Sequence, residues 1–275
     1  MTADFSPLFE RVAAAIRAAD GLLITAGAGL GVDSGLPDFR GDQGLWRAYP
    51  ALQQAGLSFT QIANPAEFAR RPKLAWGFYG HRLALYRATA PGPAFAALRQ
   101  IADRLPAGAF VFTSNVDGHF QRAGFAAERI AECHGSIHHL QCTEPCCDAI
   151  WPADAVEPVI DTVHCELRSP LPLCPHCGAL ARPNILMFGD CNWLEQRTEA
   201  QHAALRRWQR GVDRLVTIEL GAGTAVPTVR MFSERQPGTL IRINLREAEV
   251  PRHHAGALSL PLRASEAMAG IVAAL

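Results

Sequence analysis

The feature that most constrains this chain is a short apolar run that leads directly into a glycine-rich turn. Leu22-Leu23-Ile24-Thr25 has the composition of a buried strand, and Ala26-Gly27-Ala28-Gly29-Leu30-Gly31 follows it at once. Glycines in such a turn let backbone N–H groups approach a phosphate closely. The pattern therefore predicts a parallel strand whose carboxyl end faces a ligand.

Three further apolar runs, at 109–113, 215–220 and 240–244, have the character of strands and end in polar or glycine residues. Helical stretches such as 94–104 and 198–210 separate them. Interior strands that alternate with helices are typical of an open parallel sheet with helices on its faces. We expect an α/β fold built on a Rossmann-like open parallel sheet.

Two segments do not follow this alternation. Residues 45–91 are helical with aromatic side chains, and residues 136–186 are rich in Cys, Pro and His. We assign both to a smaller module inserted into the sheet domain. The Rossmann-like domain then consists of residues 1–44, 92–135 and 187–275.

Composition excludes several classes of protein. The chain has 275 residues, 49% of them hydrophobic, so it can bury a core and is neither disordered nor fibrous. Lys+Arg 26 balances Asp+Glu 26, which leaves no excess charge to attract a nucleic-acid backbone. Residues 1–15 include Asp4 and Glu10 and lack the apolar core of a signal peptide, and no apolar stretch has the length of a membrane span. We expect a cytoplasmic protein without nucleic-acid or membrane partners.

Four of the eight cysteines have the spacing of metal ligands. Cys142 and Cys146 form a C-x3-C pair, and Cys174 and Cys177 form a C-x2-C pair. In a chain without an export signal such pairs are more often metal ligands than disulfides, and four thiolates make a closed, structural zinc site. Cys147 competes with Cys146 for the second position. Because acidic residues outnumber basic ones around these cysteines, we expect this zinc ribbon not to bind nucleic acid.

Polar and glycine residues follow the predicted strands. Asn115 and Asp117 follow the second strand, where they either cap a helix or serve a site. A lone His is usually structural, but His134 is also a candidate general base because imidazole titrates near neutral pH. Gly221-Ala222-Gly223 and Asn244 follow the last two strands; they are either architectural or part of a dinucleotide site beside the first glycine turn.

Taken in order, these motifs resemble the sirtuin family of NAD-dependent protein lysine deacylases. The most specific block runs from Gly27 to Gly41 and contains Asp38, Phe39 and Arg40, whose carboxylate, ring and guanidinium suit a loop that folds over a phosphorylated, aromatic ligand. The other matching motifs are Gly44-Leu45-Trp46, Asn115 with Asp117, His134-Gly135, the four cysteines, Arg182-Pro183 and Phe188-Gly189-Asp190.

The resemblance implies that the sheet domain binds NAD and that the zinc module helps to hold an acyl-lysine peptide. His134 is implied as the base on a ribose hydroxyl, while Asn115 and Asp117 position the nicotinamide end. The peptide is implied to lie as an added strand between Phe188-Gly189-Asp190 and the segment after Gly223. The implied products are free lysine, nicotinamide and O-acyl-ADP-ribose. The cofactor-binding residues are expected to be Gly27, Ala28, Gly29, Asp38, Phe39, Arg40, Asn115, Asp117, Gly221, Ala222, Gly223 and Asn244.

Four positions depart from the family pattern and remove hydroxyl and amide groups from the expected cofactor site. They are Gly31 for Ser, Ser114 for Gln, His119-Phe120 for Leu-His, and Gly221-Ala222-Gly223 for Gly-Thr-Ser. These changes keep two alternatives open: a mono-ADP-ribosyltransferase or NAD glycohydrolase on the same fold, and a non-catalytic NAD-sensing module. Because the chain keeps Asn115, Asp117 and His134, we favour a lysine deacylase.

Tyr79 and Arg82 form a Tyr-x-x-Arg pair that resembles the sirtuin subgroup that removes acidic acyl groups such as succinyl. In that subgroup the pair holds the distal carboxylate. The alternative is an amphipathic helix in which Trp76, Tyr79 and Leu83 face the core and Arg82 is solvated. The sequence favours neither interpretation over the other.

Overall fold

The computed structural model describes residues 4–37, 41–252, 254 and 256–275. Its strands are β1 (Gly21–Ala26), β2 (Ala109–Thr113), β3 (Ile130–Glu132), β4 (Gly135–Cys142), β5 (Ile150–Pro152), β6 (Ile160–Asp161), β7 (Glu166–Leu167), β8 (Ala181–Ile185), β9 (Leu215–Leu220), β10 (Thr239–Ile243) and β11 (Leu258–Leu260). Its helices are α1 (Ser6–Arg17), α2 (Ala28–Asp33), α3 (Gly41–Ala48), α4 (Pro50–Gln54), α5 (Phe59–Ile62), α6 (Ala66–Arg70), α7 (Pro72–Ala88), α8 (Pro93–Ala102), α9 (His119–Arg122), α10 (Gln196–Gln209), α11 (Thr228–Ser233) and α12 (Ala264–Ala274).

Six strands form one parallel sheet in the order β11-β10-β9-β1-β2-β3. The chain moves from β1 to β2 and β3 on one side of the sheet, and later to β9, β10 and β11 on the other. The strand order therefore reverses between β1 and β9, and open parallel sheets bind ligands at the carboxyl ends of the strands at such a point. The predicted open parallel sheet is confirmed.

Helices cover both faces of this sheet. Leu22 and Ile24 of β1 belong to an apolar cluster with residues of α1, α8 and α12, whereas Leu23 points the other way and packs with Leu205 and Trp208 of α10. Successive side chains of a strand face opposite sides, so the strands of a sheet buried on both faces are mainly apolar. This explains why the strands appear in the sequence as mainly apolar runs; the buried charges of Glu219 in β9 and Arg242 in β10 are paired with each other.

A second apolar core joins the helices of 45–91 to a small antiparallel sheet with the order β5-β4-β8. Trp76 and Tyr79 of α7 lie in one cluster with Ile137 and Leu140 of β4. The β6–β7 hairpin packs against the same helix, since a Cβ placed on Gly77 would lie 1.9 Å from the Cys165 carbonyl oxygen. The two segments that interrupt the sheet domain in sequence thus share one core.

The chain passes from the large sheet to the small one across only two residues, Cys133 and His134, because β3 ends at Glu132 and β4 begins at Gly135. Gly135 has a φ of +76°, and a Cβ there would lie 2.1 Å from the Asn184 carbonyl oxygen. Only glycine allows β4 to approach β8 this closely.

Three details of the strands differ from the sequence-based expectations. β3 and β11 were not predicted, because three residues are too few to show a strand's alternation. β10 ends at Ile243, so Asn244 begins the following loop.

Among the described residues, no helix combines the length and apolarity needed to cross a bilayer.

Candidate active site

Two glycine turns touch at the carboxyl edge of the large sheet. The Gly29 N–H donates to the Gly221 carbonyl oxygen at 3.0 Å. A Cβ on Gly27 would lie 2.7 Å from Ala222 Cα, and one on Gly221 would lie 2.4 Å from the Leu30 nitrogen. The turns after β1 and β9 therefore fit together only because they lack side chains, and they leave backbone N–H groups at the ligand edge.

Replacing Gly221 with alanine is expected to lower the free energy of unfolding by about 2–3 kcal/mol, because Gly221 has a φ of +60° and the added methyl meets backbone. Denaturant unfolding would measure the loss. Gly211→Ala is the matched control, since its Cβ would meet nothing closer than the Trp208 carbonyl oxygen at 3.5 Å, and should change stability by no more than about 0.5 kcal/mol. Equal stability of the two variants would contradict the close approach of the turns.

Asn115 and Asp117 follow β2 and lie next to the first glycine turn. The Asn115 Nδ2 donates to the Gly27 carbonyl oxygen at 3.1 Å, and its backbone N–H donates to Thr113 Oγ1 at 3.0 Å. Asp117 is buried, and its Oδ1 accepts the His119 backbone N–H at 2.9 Å. Burial raises the pKa of the Asp117 carboxyl. Both side chains are thus held at the edge where the resemblance places nicotinamide and its ribose.

His134 reaches the same edge from the neighbouring strand. Thr113 of β2 pairs with Glu132 of β3, so Asn115 and His134 each lie two residues beyond a paired position. The His134 carbonyl accepts the Leu186 N–H at 3.0 Å, which ties it to the segment after β8. The imidazole is half-buried, and this burial lowers the pKa of His134, so the neutral form that a general base requires is favoured.

Sequence reasoning missed His138, which lies behind Asp117. Its Nε2 lies 2.8 Å from the Asp117 carbonyl oxygen, to which the ring N–H donates. A Cβ on Gly118 would lie 2.7 Å from His138 Cδ2, so the ring packs directly against this loop. Nothing in local spacing relates a residue of β4 to the loop after β2, and no sequence pattern could have indicated the contact.

Asn244 completes the edge on the side of β9 and β10. Its Nδ2 donates to the Ala222 carbonyl oxygen at 2.9 Å, and the side chain is buried. The predicted residues therefore lie at one edge of the sheet: Ala28 and Gly29 in the first turn of α2, and Gly27, Asn115, Asp117, Gly221, Ala222, Gly223 and Asn244 on loops. Asp38, Phe39 and Arg40 lie outside the described residues, and their predicted role stays a prediction.

The four thiols of Cys142, Cys146, Cys174 and Cys177 lie within 4.8 Å of one another. The Cys142–Cys177 and Cys146–Cys174 Sγ pairs are 3.6 and 3.7 Å apart. Tetrahedral zinc with Zn–S bonds near 2.3 Å requires sulfurs about 3.8 Å apart, so the donor set fits zinc. Cys147 lies outside the group of four, with its Sγ 3.5 Å from that of Cys146.

The Sir2 family sequence model matches residues 27–219, which is more than half of the chain. This chain belongs to the Sir2 family. The match runs from the first glycine turn through both cysteine pairs to β9.

Named relatives and a solved structure are similar to this chain. An NAD-dependent protein deacylase of Pyrococcus furiosus is 35% identical over 164 residues, which are 60% of this chain and 59% of that protein. One of Pyrococcus abyssi is 30% identical over 246 residues, 88% of this chain and 89% of that protein. The crystal structure of a Sir2 homologue in complex with NAD has a TM-score of 0.70 at 27% identity and covers 96% of this chain and 92% of its own. The chain therefore spans 59% of the first relative's length and nearly all of the second's.

Two departures from the Sir2 pattern have visible consequences. A Cβ on Gly31 would lie 3.7 Å from Asp117 Oδ2, so the missing serine hydroxyl removes a donor beside that carboxylate. His119 is fully buried and packs edge-on against Phe95 with ring centroids 5.9 Å apart. Burial lowers the pKa of His119, which keeps this imidazole neutral inside the core.

Phe188 and Gly189 form a projecting corner on the side of the small sheet. The Phe188 ring is 39% exposed and packs edge-on against Phe59, while its N–H donates to the Ala63 carbonyl at 2.9 Å. Asp190, next to the corner, pairs with Arg182 at 2.7 Å, and both side chains are buried. The Sir2-type segment from Arg182 to Asp190 is thus braced by an ion pair and presents an aromatic surface.

Tyr79 and Arg82 lie on α7 inside the second core. Trp76, Tyr79 and Leu83 are buried, as the amphipathic interpretation predicts. Arg82, which that interpretation leaves solvated, is only partly exposed; its Nε donates to the Tyr86 hydroxyl at 2.9 Å. The guanidinium lies within 6 Å of the Phe78, Tyr79 and Tyr86 ring centroids. The prediction that Arg82 is solvated is therefore wrong, because cation–π contacts and the Tyr86 hydroxyl hold its guanidinium among the rings.

Proposed function

We propose that this protein is an NAD-dependent protein lysine deacylase. The observation that carries the proposal is the shared edge, where the two glycine turns, Asn115, Asp117 and His134 follow neighbouring strands of one sheet. The names of the Pyrococcus relatives support the same activity. Deacylation needs all three parts together: a phosphate cradle, side chains that orient a ribose, and a base.

In the proposed reaction NAD is the second substrate: nicotinamide leaves its ribose carbon and the acyl oxygen takes that place. The two glycine turns and Asn244 bind the dinucleotide. Asn115 and Asp117 orient the nicotinamide ribose. His134 takes the proton of a ribose hydroxyl so that the ribose oxygen attacks the captured acyl group. With water, the products are free lysine, nicotinamide and O-acyl-ADP-ribose.

We place the acyl-lysine peptide in the cleft between the large sheet and the small one. Phe188 and Gly189 line one wall, and the segment after Gly223 lines the other, so that an extended peptide pairs its backbone with both. The four thiolates hold zinc, which leaves no open coordination position and supplies no step of the chemistry. We also propose two domains: residues 1–44, 92–135 and 187–275 form the Rossmann-like domain, and residues 45–91 and 136–186 form the smaller module. The proposed cleft lies at the boundary between the two.

A test follows nicotinamide and O-acyl-ADP-ribose together after incubation of the protein with NAD and a panel of acyl-lysine peptides. The proposal predicts equal amounts of the two products with at least one peptide. Release of nicotinamide without acyl transfer would instead identify an ADP-ribosyltransferase or NAD glycohydrolase. No release with any peptide would point to a non-catalytic NAD-sensing module.

Among acyl groups, we propose that the protein favours acidic ones such as succinyl. The support is the Tyr79–Arg82 pair itself: the Arg82 guanidinium lies 5.8 Å from the Tyr79 ring centroid, and a guanidinium is a charge-assisted partner for a carboxylate. The same peptide panel tests this by mass spectrometry. Equal turnover of succinyl- and acetyl-lysine, or faster turnover of acetyl-lysine, would overturn the acidic preference and leave deacylation itself intact.

The decrease in kcat/KM on the acid side of its pH profile is expected to lie below pH 6.5. His134 accepts a proton only when neutral, and burial lowers the pKa of His134 from its ordinary value of 6.5. As the pH falls through that lowered pKa, the imidazole is protonated and kcat/KM falls. Between neutrality and pH 6.5, kcat/KM stays level. A pH series of kcat/KM checks this, and a loss that is complete above pH 6.5 would contradict the assignment.

We also propose a cytoplasmic location. None of the eight cysteines, all of which lie in the described part of the chain, forms a disulfide, which suits a reducing compartment.

A further inference from the structure

The strand that leads to His134 is the outermost strand of the large sheet. β3 pairs with β2 on one side only. The Cys133 N–H donates to the Thr113 carbonyl oxygen of β2 at 2.9 Å, so the N–H and carbonyl of Glu132, one residue earlier, point away from β2. Because backbone groups at a buried edge need hydrogen-bond partners, something other than a strand has to supply them.

Three side chains near the start of α10 supply these partners. The Thr198 hydroxyl donates to the Glu132 carbonyl oxygen at 3.1 Å, and Gln201 Oε1 accepts the Glu132 N–H at 3.0 Å. Arg197 donates through Nη2 to the Glu132 carboxylate, whose side chain is only 1% exposed. The three lie on one face of the helix, since residues three and four apart are neighbours there. We call Arg197, Thr198 and Gln201 together the edge clamp.

The helix that carries the edge clamp is itself fixed. In the segment before α10, the Leu194 N–H donates to Gln141 Oε1 at 3.1 Å, and its carbonyl accepts Asn184 Nδ2 at 2.9 Å. Gln141 of β4 and Asn184 of β8 are buried and hydrogen-bonded to each other at 2.9 Å. Near the other end of α10, Trp208 Nε1 donates to the Ala107 carbonyl at 2.9 Å. The edge clamp therefore holds β3 from a helix that is anchored at both ends.

The edge clamp acts close to the proposed base. Only Cys133 separates Glu132 from His134, so the end of β3 determines where the backbone of His134 begins. Removing one partner leaves a buried polar group of Glu132 unpaired, which favours a shift of the strand end. A displacement of about 1 Å in a reacting group is enough to slow a reaction about 100-fold.

We propose that Arg197, Thr198 and Gln201 are positioning residues for His134, which they place at the shared edge by holding Glu132. The inference rests on the proposed function, since it takes His134 as the base. The three side chains act through the backbone of β3. They should therefore affect the step that uses the base and leave substrate binding unchanged.

Thr198→Val and Arg197→Met test the inference with an acyl-lysine peptide and NAD. Each should slow O-acyl-ADP-ribose formation about fivefold or more and leave KM for both substrates within about twofold of wild type. A second assay follows the exchange of labelled nicotinamide into NAD, in which free nicotinamide displaces the acyl oxygen from the ribose carbon. Because exchange uses no base, its rate should stay within about twofold of wild type.

Two controls accompany these variants. Thr198→Ser keeps the hydroxyl and should keep the wild-type rate. Arg207→Met makes the same change as Arg197→Met at an exposed position of α10 and should also keep it. Thr198→Val replaces one hydroxyl with a methyl, so it tests the edge clamp even where Arg197→Met fails to fold, and thermal unfolding verifies the fold of each variant.

Each other outcome overturns a defined part. If Thr198→Val and Arg197→Met form product at the wild-type rate, the edge clamp does not position His134, and the inference fails while the proposed function stands. It also fails if exchange and product formation slow equally, or if Arg207→Met slows product formation as much as Arg197→Met, because the effect is then only structural. If wild-type protein forms no O-acyl-ADP-ribose with any peptide, the proposed function and the inference are both wrong.

Discussion

Replacing His134 with alanine is expected to slow O-acyl-ADP-ribose formation by about 10²- to 10⁴-fold, the usual contribution of a general base. His134 follows β3 at the shared edge, next to the strand that leads to Asn115, and burial favours the neutral imidazole by lowering the pKa of His134. Its hydrogen bond to Leu186 uses the backbone carbonyl, so the substitution should leave the fold unchanged. Steady-state assays with an acyl-lysine peptide measure the effect.

His164→Ala is the control for this variant. His164 lies on the β6–β7 hairpin, its side chain is 67% exposed, and it contacts Asp161 at 2.9 Å, away from the shared edge. It should keep wild-type activity. A His134→Ala variant that retains full deacylation would remove the assignment of the base, whatever its effect on nicotinamide release.

Replacing Cys174 with alanine is expected to abolish zinc binding and to lower the melting temperature by about 10 °C or more. Cys174 is buried within the group of four, and structural zinc sites contribute binding free energy directly to folding, about 10 kcal/mol in the best-studied small domains. Because the cysteine pairs flank β4 and β8, loss of the metal should loosen the sheet on which Phe188 depends. Metal analysis of purified protein and thermal unfolding provide the two measurements.

Three single variants make this prediction specific. Cys191→Ala removes an exposed thiol outside the group and should leave zinc content and melting temperature unchanged. Cys146→Ala should lose zinc, whereas Cys147→Ala should keep it, because only Cys146 lies in the group of four. Zinc retained in Cys146→Ala and lost in Cys147→Ala would reverse the choice of ligand.

The sequence predicted the large sheet well because its strands are buried on both faces. Such strands stand out as apolar runs, and the glycine turns after β1 and β9 mark their carboxyl ends. The three-residue strands β3 and β11 carry no comparable pattern, since a stretch that short is compatible with any structure.

The predicted site residues were those attached to a motif, and the missed ones were those placed by tertiary contacts. Asn115 and His134 follow strands, and the cysteines have ligand spacing, so their chemistry is visible locally. His138 gains its position from a loop that is distant in sequence. Arg82 shows the same limit, because helical periodicity places it toward solvent while the rings around it draw it inward.

The two-residue passage between the large and small sheets has a mechanical consequence. A passage this short leaves little freedom for the residues in it to move relative to either sheet. The His134 carbonyl also accepts the Leu186 N–H at 3.0 Å, so the segment that leads to Phe188 is tied to the same point. The backbone position of His134 is therefore set by both sheets at once.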